Sequence, residues 1–227
     1  MAKVRVFVAS AALSMTALSM TTLSMATLGV AAASAETQSF DVASFTGVKV
    51  STGVSVEINV GEAQSVVAEG SEKNLERLQI TNDGGILKIR RKRKDGWGWN
   101  WSGGDSVKVT IAVPELSLID VSSGSDVEAN GIDSETVRLD ASSGADMTVS
   151  GTCGSVRADA SSGSDIDARD LVCRSAVADV SSGANIRVHA TQEFSGDASS
   201  GGNIDVYGNP STVNASESSG GDIDLRG

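Results

Sequence analysis

Asp120-Val121-Ser122-Ser123-Gly124-Ser125-Asp126-Val127-Glu128-Ala129 opens a passage that repeats its own plan as far as Gly227. Its Ser-Ser-Gly tripeptide, at 122–124, returns at 142–144, 161–163, 181–183, 199–201 and 218–220, in steps of 20, 19, 20, 18 and 19 residues. A fixed period of this size marks one structural unit stacked on copies of itself. Two residues before the first Ser stand Asp120, Asp140, Asp159, Asp179 and Asp197. Four residues after it stand Asp126, Asp146, Asp165, Asn185, Asn203 and Asp222. An apolar residue follows each time (Val127, Met147, Ile166, Ile186, Ile204, Ile223), and another comes two positions on, from Ala129 to Leu225. Polar residues fill the places between, which is the period of a strand with one buried face. Val137, Leu139 and Ala141 alternate in the same way ahead of the tripeptide.

Each repeat is therefore expected to hold two short strands meeting at a Ser-Ser-Gly corner, where the Gly supplies a backbone conformation that a Cβ opposes. Stacked at the strand spacing of about 4.8 Å, five such steps make a rod roughly 24 Å long. The small inward residues suit a narrow core between parallel strands. The expectation is an all-β fold: a right-handed, single-stranded parallel β-helix, or β-solenoid, over residues 121–227, with coils of about 19 residues. Residues 36–120 form a β-rich front half that caps or extends the stack. Within it, Asn82-Asp83-Gly84-Gly85 signals a hairpin with 86–89 as its return strand, and Pro114 should end the strand over 107–113.

Residues 1–35 read as a secretory leader, with Lys3 and Arg5 at its charged start and Ala33-Ser34-Ala35 as its cleavage site. The expected location is extracytoplasmic: periplasm, cell surface or secreted. No later apolar run is long enough to span a bilayer. A net charge of −11 makes nucleic acid and anionic membrane poor partners overall. The two cysteines, Cys153 and Cys173, each lie eight residues before a tripeptide, so a stack places one above the other. An oxidising compartment favours a disulfide between them; the alternative is a pair of buried thiols.

One segment departs from the repeat. Residues 90–94 are consecutively basic, and Trp97, Trp99 and Trp101 follow, alternating with small or polar residues. Arg90, Arg91, Lys92 and Arg93 with the three tryptophans form a candidate ligand-binding loop over 90–105, able to grip sugar rings or lipid head groups by stacking and charge. The bland alternative is a hairpin with a solvated basic strand and its tryptophans folded onto neighbouring β-surface.

Calcium is the one cofactor the pattern raises. Asp126, Asp146, Asp165 and Asp222 share a ladder position, and stacked carboxylates repel unless neutralised. Asn185 and Asn203 interrupt that ladder, and turn hydrogen bonds explain Asp and Asn there without an ion; no cofactor is the favoured reading. Arg138 and Arg157 are placed to relieve the other Asp ladder. His189, the single histidine, occupies an outward strand position, far from what a Ser-His-Asp set requires. Polysaccharide-cleaving β-helices use carboxylates in a cleft built by long loops, and uniform coils leave little length for one.

Phe45-Thr46-Gly47-Val48-Lys49-Val50, Gly53-Val54-Ser55-Val56, Asn74-Leu75, Gly85-Ile86-Leu87-Lys88-Ile89, Val109-Thr110-Ile111-Ala112-Val113-Pro114-Glu115-Leu116 and the recurrent Ser-Ser-Gly-Ser/Ala-Asp together resemble the bacterial head GIN domain, an auto-transporter adhesin family of unknown function. The resemblance runs from about Phe40 to Gly227. It implies an exported β-helix with a front portion continuous with the stack, and interaction at a surface, and it brings no catalytic or binding residues with it. Taken with the residues, the expectation is a module that is not an enzyme and meets an envelope, glycan or protein partner.

Overall fold

A computed structural model describes residues 5–8, 36–92 and 107–227. It is a β-solenoid of about five turns, as the repeat predicts. The leading strands are β1 (Arg5–Val8), β2 (Glu36–Asp41), β3 (Gly47–Ser51), β4 (Ser55–Val60) and β5 (Ser65–Gly70). A single helical turn, α1 (Glu72–Leu75), precedes β6 (Leu78–Asp83), β7 (Ile86–Arg91), β8 (Lys108–Val113) and β9 (Leu118–Ser122). The repeats supply β10 (Asp126–Ser142), β11 (Asp146–Ser161), β12 (Asp165–Val180), β13 (Asn185–Ala198), β14 (Asn203–Tyr207), β15 (Thr212–Glu217) and β16 (Asp222–Arg226).

The strands after each corner stack in parallel as β8, β4, β10, β11, β12, β13, β14 and β16. Those before each corner stack as β7, β3, β9, β10, β11, β12, β13 and β15. Register keeps the repeat aligned: Val127 lies on Met147, Met147 on Ile166, and Ile166 on Ile186. The strands differ from the two short ones expected per repeat. β10 to β13 each run from one corner to the next, because ladder pairing persists around the bends, with a register shift where the chain turns. In β10 that shift falls between Ala129 and Ile132.

The corners explain the tripeptide. The second Ser and the Gly both take the left-handed conformation, at φ 60° and 64° for Ser123 and Gly124, and at 58° and 67° for Ser162 and Gly163. The Gly N–H then donates to the second Ser carbonyl of the next coil: Gly124 to Ser143, Gly144 to Ser162, Gly163 to Ser182, Gly183 to Ser200. A residue with a Cβ pays strain there, and the column of hydrogen bonds offsets it. The next position is buried and small (Ser125, Ala145, Ser164, Ala184). The Ser164 hydroxyl donates to the Ala141 carbonyl, 3.0 Å away.

The front half carries the same device. Ser51 is in register with Ser122, and Thr52 and Gly53 have φ 71° and 63°, so 51–53 is one more corner of the stack. Gly53 N–H donates to the Ser123 carbonyl and Ser55 pairs with Asp126. Beyond this coil the chain reverses direction. β5 lies antiparallel on β8, β2 on β5 and β1 on β2, while β6 and β7 form the hairpin signalled by residues 82–85. β8 stops at Val113, before Pro114. The core runs unbroken from Phe45 and Leu75 through the coils to Phe194 and Val206.

Candidate binding surface at the basic end of the rod

Two aspartate columns flank the corners. In the column before them, Asp120, Asp140, Asp159, Asp179 and Asp197 stand rung on rung. Lys49 reaches Asp120 at 2.7 Å. Arg138 grips Asp140 with two bonds, of 2.8 and 2.7 Å, and reaches on to Asp159 at 3.0 Å. Arg157 grips Asp159 likewise and pairs with Asp179. The Asp140 carboxylate, bonded to the Arg138 guanidinium, pushes its pKa above the usual arginine value; Asp159 does the same to Arg157. Val177 and Ser195 take the arginine position on the next rungs. The column lines a shallow groove of about 420 Å³.

The column after the corners holds Asp126, Asp146, Asp165, Asn185, Asn203 and Asp222 in register. Burial, then the neighbouring Asp165 and Asp126 charges, push Asp146 above the ordinary carboxylate value. Asn185 Nδ2 donates to Asp165 at 2.6 Å, and Asn203 Nδ2 donates to Asn185 Oδ1 at 3.1 Å. Side-chain amides thus bond the ladder at the Asn185 and Asn203 rungs and separate Asp222 from Asp165, while Asp126, Asp146 and Asp165 stack directly on one another. Among the described residues, no group of three or more His, Cys, Asp or Glu is arranged to hold a metal ion.

A disulfide joins Cys153 and Cys173, paired residues of β11 and β12 whose Cα atoms are 4.5 Å apart. His189 donates from Nδ1 to the Arg169 carbonyl at 3.1 Å, on the outside of the coil and away from the corner serines.

The basic residues sit at the N-terminal end of the stack. Arg90 pairs with Ser51, so it stands beside the first corner. Arg91 turns onto that corner, donating from Nη2 to Gly53 O at 3.0 Å and from Nε to Thr52 O at 3.5 Å. It caps the corner column on the side where a preceding coil would donate an N–H. Lys92 is fixed through its backbone, donating to the Arg77 carbonyl at 2.9 Å and accepting from Arg77 Nη2 at 2.7 Å. Arg90 is exposed, and its side chain makes no hydrogen bond or ion pair among the described residues. Arg93, Trp97, Trp99 and Trp101 lie outside the described residues.

Two cavities meet at Arg90. One, of about 660 Å³, is lined by Arg90, Arg91, Lys92, Gln79, Ser51, Thr52 and Ser123. The other, of about 610 Å³, shares Arg90 and Ser51 and adds Lys49 and Lys88 with Asp83 and Asp120. Lys88 donates to Asp83 at 2.7 Å, and that bond holds the Asp83 carboxyl below the ordinary carboxylate value. The sequence reading missed Lys49, Gln79 and the 51–53 corner in this arrangement. Ser-Thr-Gly followed by Val-Ser-Val was the available signal, a copy of the repeat with Thr in place of Ser.

A single-stranded β-helix with left-handed Ser-Ser-Gly corners and a closed N-terminal end defines the class of this chain. It belongs to the family described as "putative auto-transporter adhesin, head GIN domain", which matches residues 44–210. Among solved structures it is similar to that of "a putative adhesin" from Bacteroides fragilis, with 17% identity and a TM-score of 0.68, covering 86% of this chain and 98% of that one. It is also similar to that of a "putative lipid binding protein" from Parabacteroides distasonis, with 17% identity and a TM-score of 0.46, covering 85% and 97% of the two chains. No curated protein matches. Among the described residues, no helix is long and apolar enough to cross a membrane.

Proposed function

We propose that this protein is an exported, non-enzymatic β-helix that serves as an adhesin-like interaction module at the cell envelope or beyond it, with residues 1–35 as its leader. The observation that carries the reading is the contrast in charge along the rod. Arg138, Arg157 and Lys49 neutralise the acidic column from within, whereas the basic end keeps an arginine, Arg90, whose side chain has no partner among the described residues and which stands beside two cavities. Family membership supports a surface role. Cleavage after Ala35 would remove β1 and leave β2 as the outermost strand of the antiparallel end.

A second reading, a carbohydrate- or lipid-binding module using Arg90, Arg91, Lys92 and Arg93 with Trp97, Trp99 and Trp101, is favoured by the cavities beside that segment. A polysaccharide-active enzyme on the same scaffold is less well supported, since Asp140 and Asp159, which line a shallow groove, are held in arginine ion pairs rather than poised as acid and base. Beads coated with the protein test the main reading. Retention of intact cells or envelope fractions, above the level of uncoated beads, is expected; no retention from any envelope source would overturn it.

A further inference from the structure

We propose that the cavity bounded by Arg90, Arg91 and Lys92 binds the acidic groups of a polysaccharide, sulfate esters or uronate carboxylates. The inference deepens the adhesin-like reading and rests on it only for the ligand's source.

The charge of the cavity is the first argument. Its described lining holds three cations and no carboxylate, in a chain whose net charge is −11. A concave site lined by one sign of charge focuses its field on the opposite sign. Such a site attracts anions locally although the molecule as a whole repels them.

The second argument is preorganisation. Arg91 is held by the Thr52 and Gly53 carbonyls, and a guanidinium has five N–H donors, so donors remain beyond those two bonds. The doubly bonded contact with Arg77 fixes the Lys92 backbone. The Arg90 side chain is uncommitted among the described residues, so an incoming acid displaces no described partner there. Planar guanidinium forks match sulfate and carboxylate oxygens in pairs.

The third argument separates sugar from lipid. Apart from its cations, the cavity is lined by Ser51, Thr52, Ser123 and Gln79, all hydroxyl or amide. These groups hydrogen-bond to sugar hydroxyls, and no residue of the described lining has a wholly apolar side chain to hold an acyl chain. The adjoining groove continues past Arg90 to Lys88 and Lys49, giving a track for the next acidic unit of a chain. Lys88 is in an exposed ion pair with Asp83, and Lys49 in a partly buried one with Asp120. An exposed pair is typically worth under about 1 kcal/mol, so a polyanion can compete for Lys88.

The test titrates the purified protein with size-defined dextran sulfate oligomers, using neutral dextran, inorganic sulfate and phosphatidylglycerol vesicles as separate arms. Dextran sulfate is expected to bind, and to weaken as salt rises. Arg90→Glu/Lys92→Glu, which leaves the Arg91 corner contact alone, is expected to weaken it at least tenfold with an unchanged melting temperature. Lys73→Glu/Lys108→Glu makes the same change in charge elsewhere and is expected to leave affinity within twofold. The proposal is overturned if neutral dextran binds as well as dextran sulfate, if both double variants lose affinity equally, or if inorganic sulfate alone or the vesicles bind as tightly as the oligomer. Retention of envelope material by coated beads, without dextran sulfate binding, would sink the site and leave the adhesin-like reading standing.

Discussion

At the N-terminal end of the rod the edge strands of the first coil are covered, and at the C-terminal end they are not. β5 lies antiparallel on β8 and β6 on β7, while Leu75 of α1 and Phe45 are buried over the end of the core. Arg91 closes the corner column from the same side. At the other end every residue of β15 is exposed, and Val213 and Leu225, at positions buried in earlier coils, are 41% and 58% exposed. An uncovered edge offers unpaired backbone groups to any strand that meets it. Here Glu217 stands under Ala198 in the inward register and accepts the Ile223 N–H at 3.0 Å, so a charged side chain occupies a position that is apolar in the coil above it. The repeat is covered by reversal of the chain at one end, and carries a carboxylate in its inward register at the other.

The largest expected effect breaks the covered side. Ile119 is fully buried between the first coil and the repeats. Ile119→Ala should cost about 2–5 kcal/mol in chemical denaturation, whereas Leu225→Ala, at the exposed end, should stay within about 0.5 kcal/mol. Equal losses would mean that the C-terminal coil is packed as tightly as the first.

The Cys153–Cys173 disulfide comes next, since it ties neighbouring coils midway along the repeats. With a sequence separation of 20, the loop-closure term is about 3 kcal/mol. Reduction, or a Cys153→Ala/Cys173→Ala variant, should lower stability by about that amount. No difference between oxidised and reduced protein would mean that the stack alone holds these coils in place.

The corners give a smaller and sharper test. Gly163 has φ +67°, and a Cβ there would meet nothing within 4 Å. Gly163→Ala should therefore cost about 1–2 kcal/mol through backbone conformation alone. Ser162→Gly relieves the same strain at its neighbour and should leave stability nearly unchanged, because the freer unfolded chain offsets the gain. A clear loss in that variant would give the Ser162 hydroxyl a role that the corner column does not.

The smallest effect belongs to the acidic column after the corners. The folded-state pKa of Asp146 lies above its unfolded value, so the ionised group opposes folding at neutral pH, and the penalty fades as pH falls through the raised value. Asp146→Asn should raise the melting temperature slightly at pH 7, by no more than about 0.5 kcal/mol in stability. The gain should disappear at a pH below the carboxylate range. A gain that persists in acid would point to hydrogen bonding rather than charge.

Much of this was legible in the residues. The Ser-Ser-Gly spacing carried the coil, and the alternation of Val127, Ala129, Met147 and Val149 carried the inward face. Arg138 and Arg157, two residues before their aspartates, marked the bridging of the acidic column. Three features were harder to read. A left-handed Ser is rare enough that Gly alone was assigned the corner conformation; the demand on Ser123 or Ser162 comes from the hydrogen-bond column, which exists only once coils are stacked. The 51–53 corner was hidden by its Thr and by long insertions between the first coil's strands. Lys49 and Gln79 join Arg90 only through pairings of β3 with β7 and β6 with β7, which no local pattern announces.

The most direct test of this two-ended account is hydrogen exchange read residue by residue along the chain. Protection should be high from β3 through β13, including the front coil and its antiparallel cover, and should fall steeply over residues 212–226. Uniform protection through β16 would contradict the account, since it would require the last coil to be covered as the first one is.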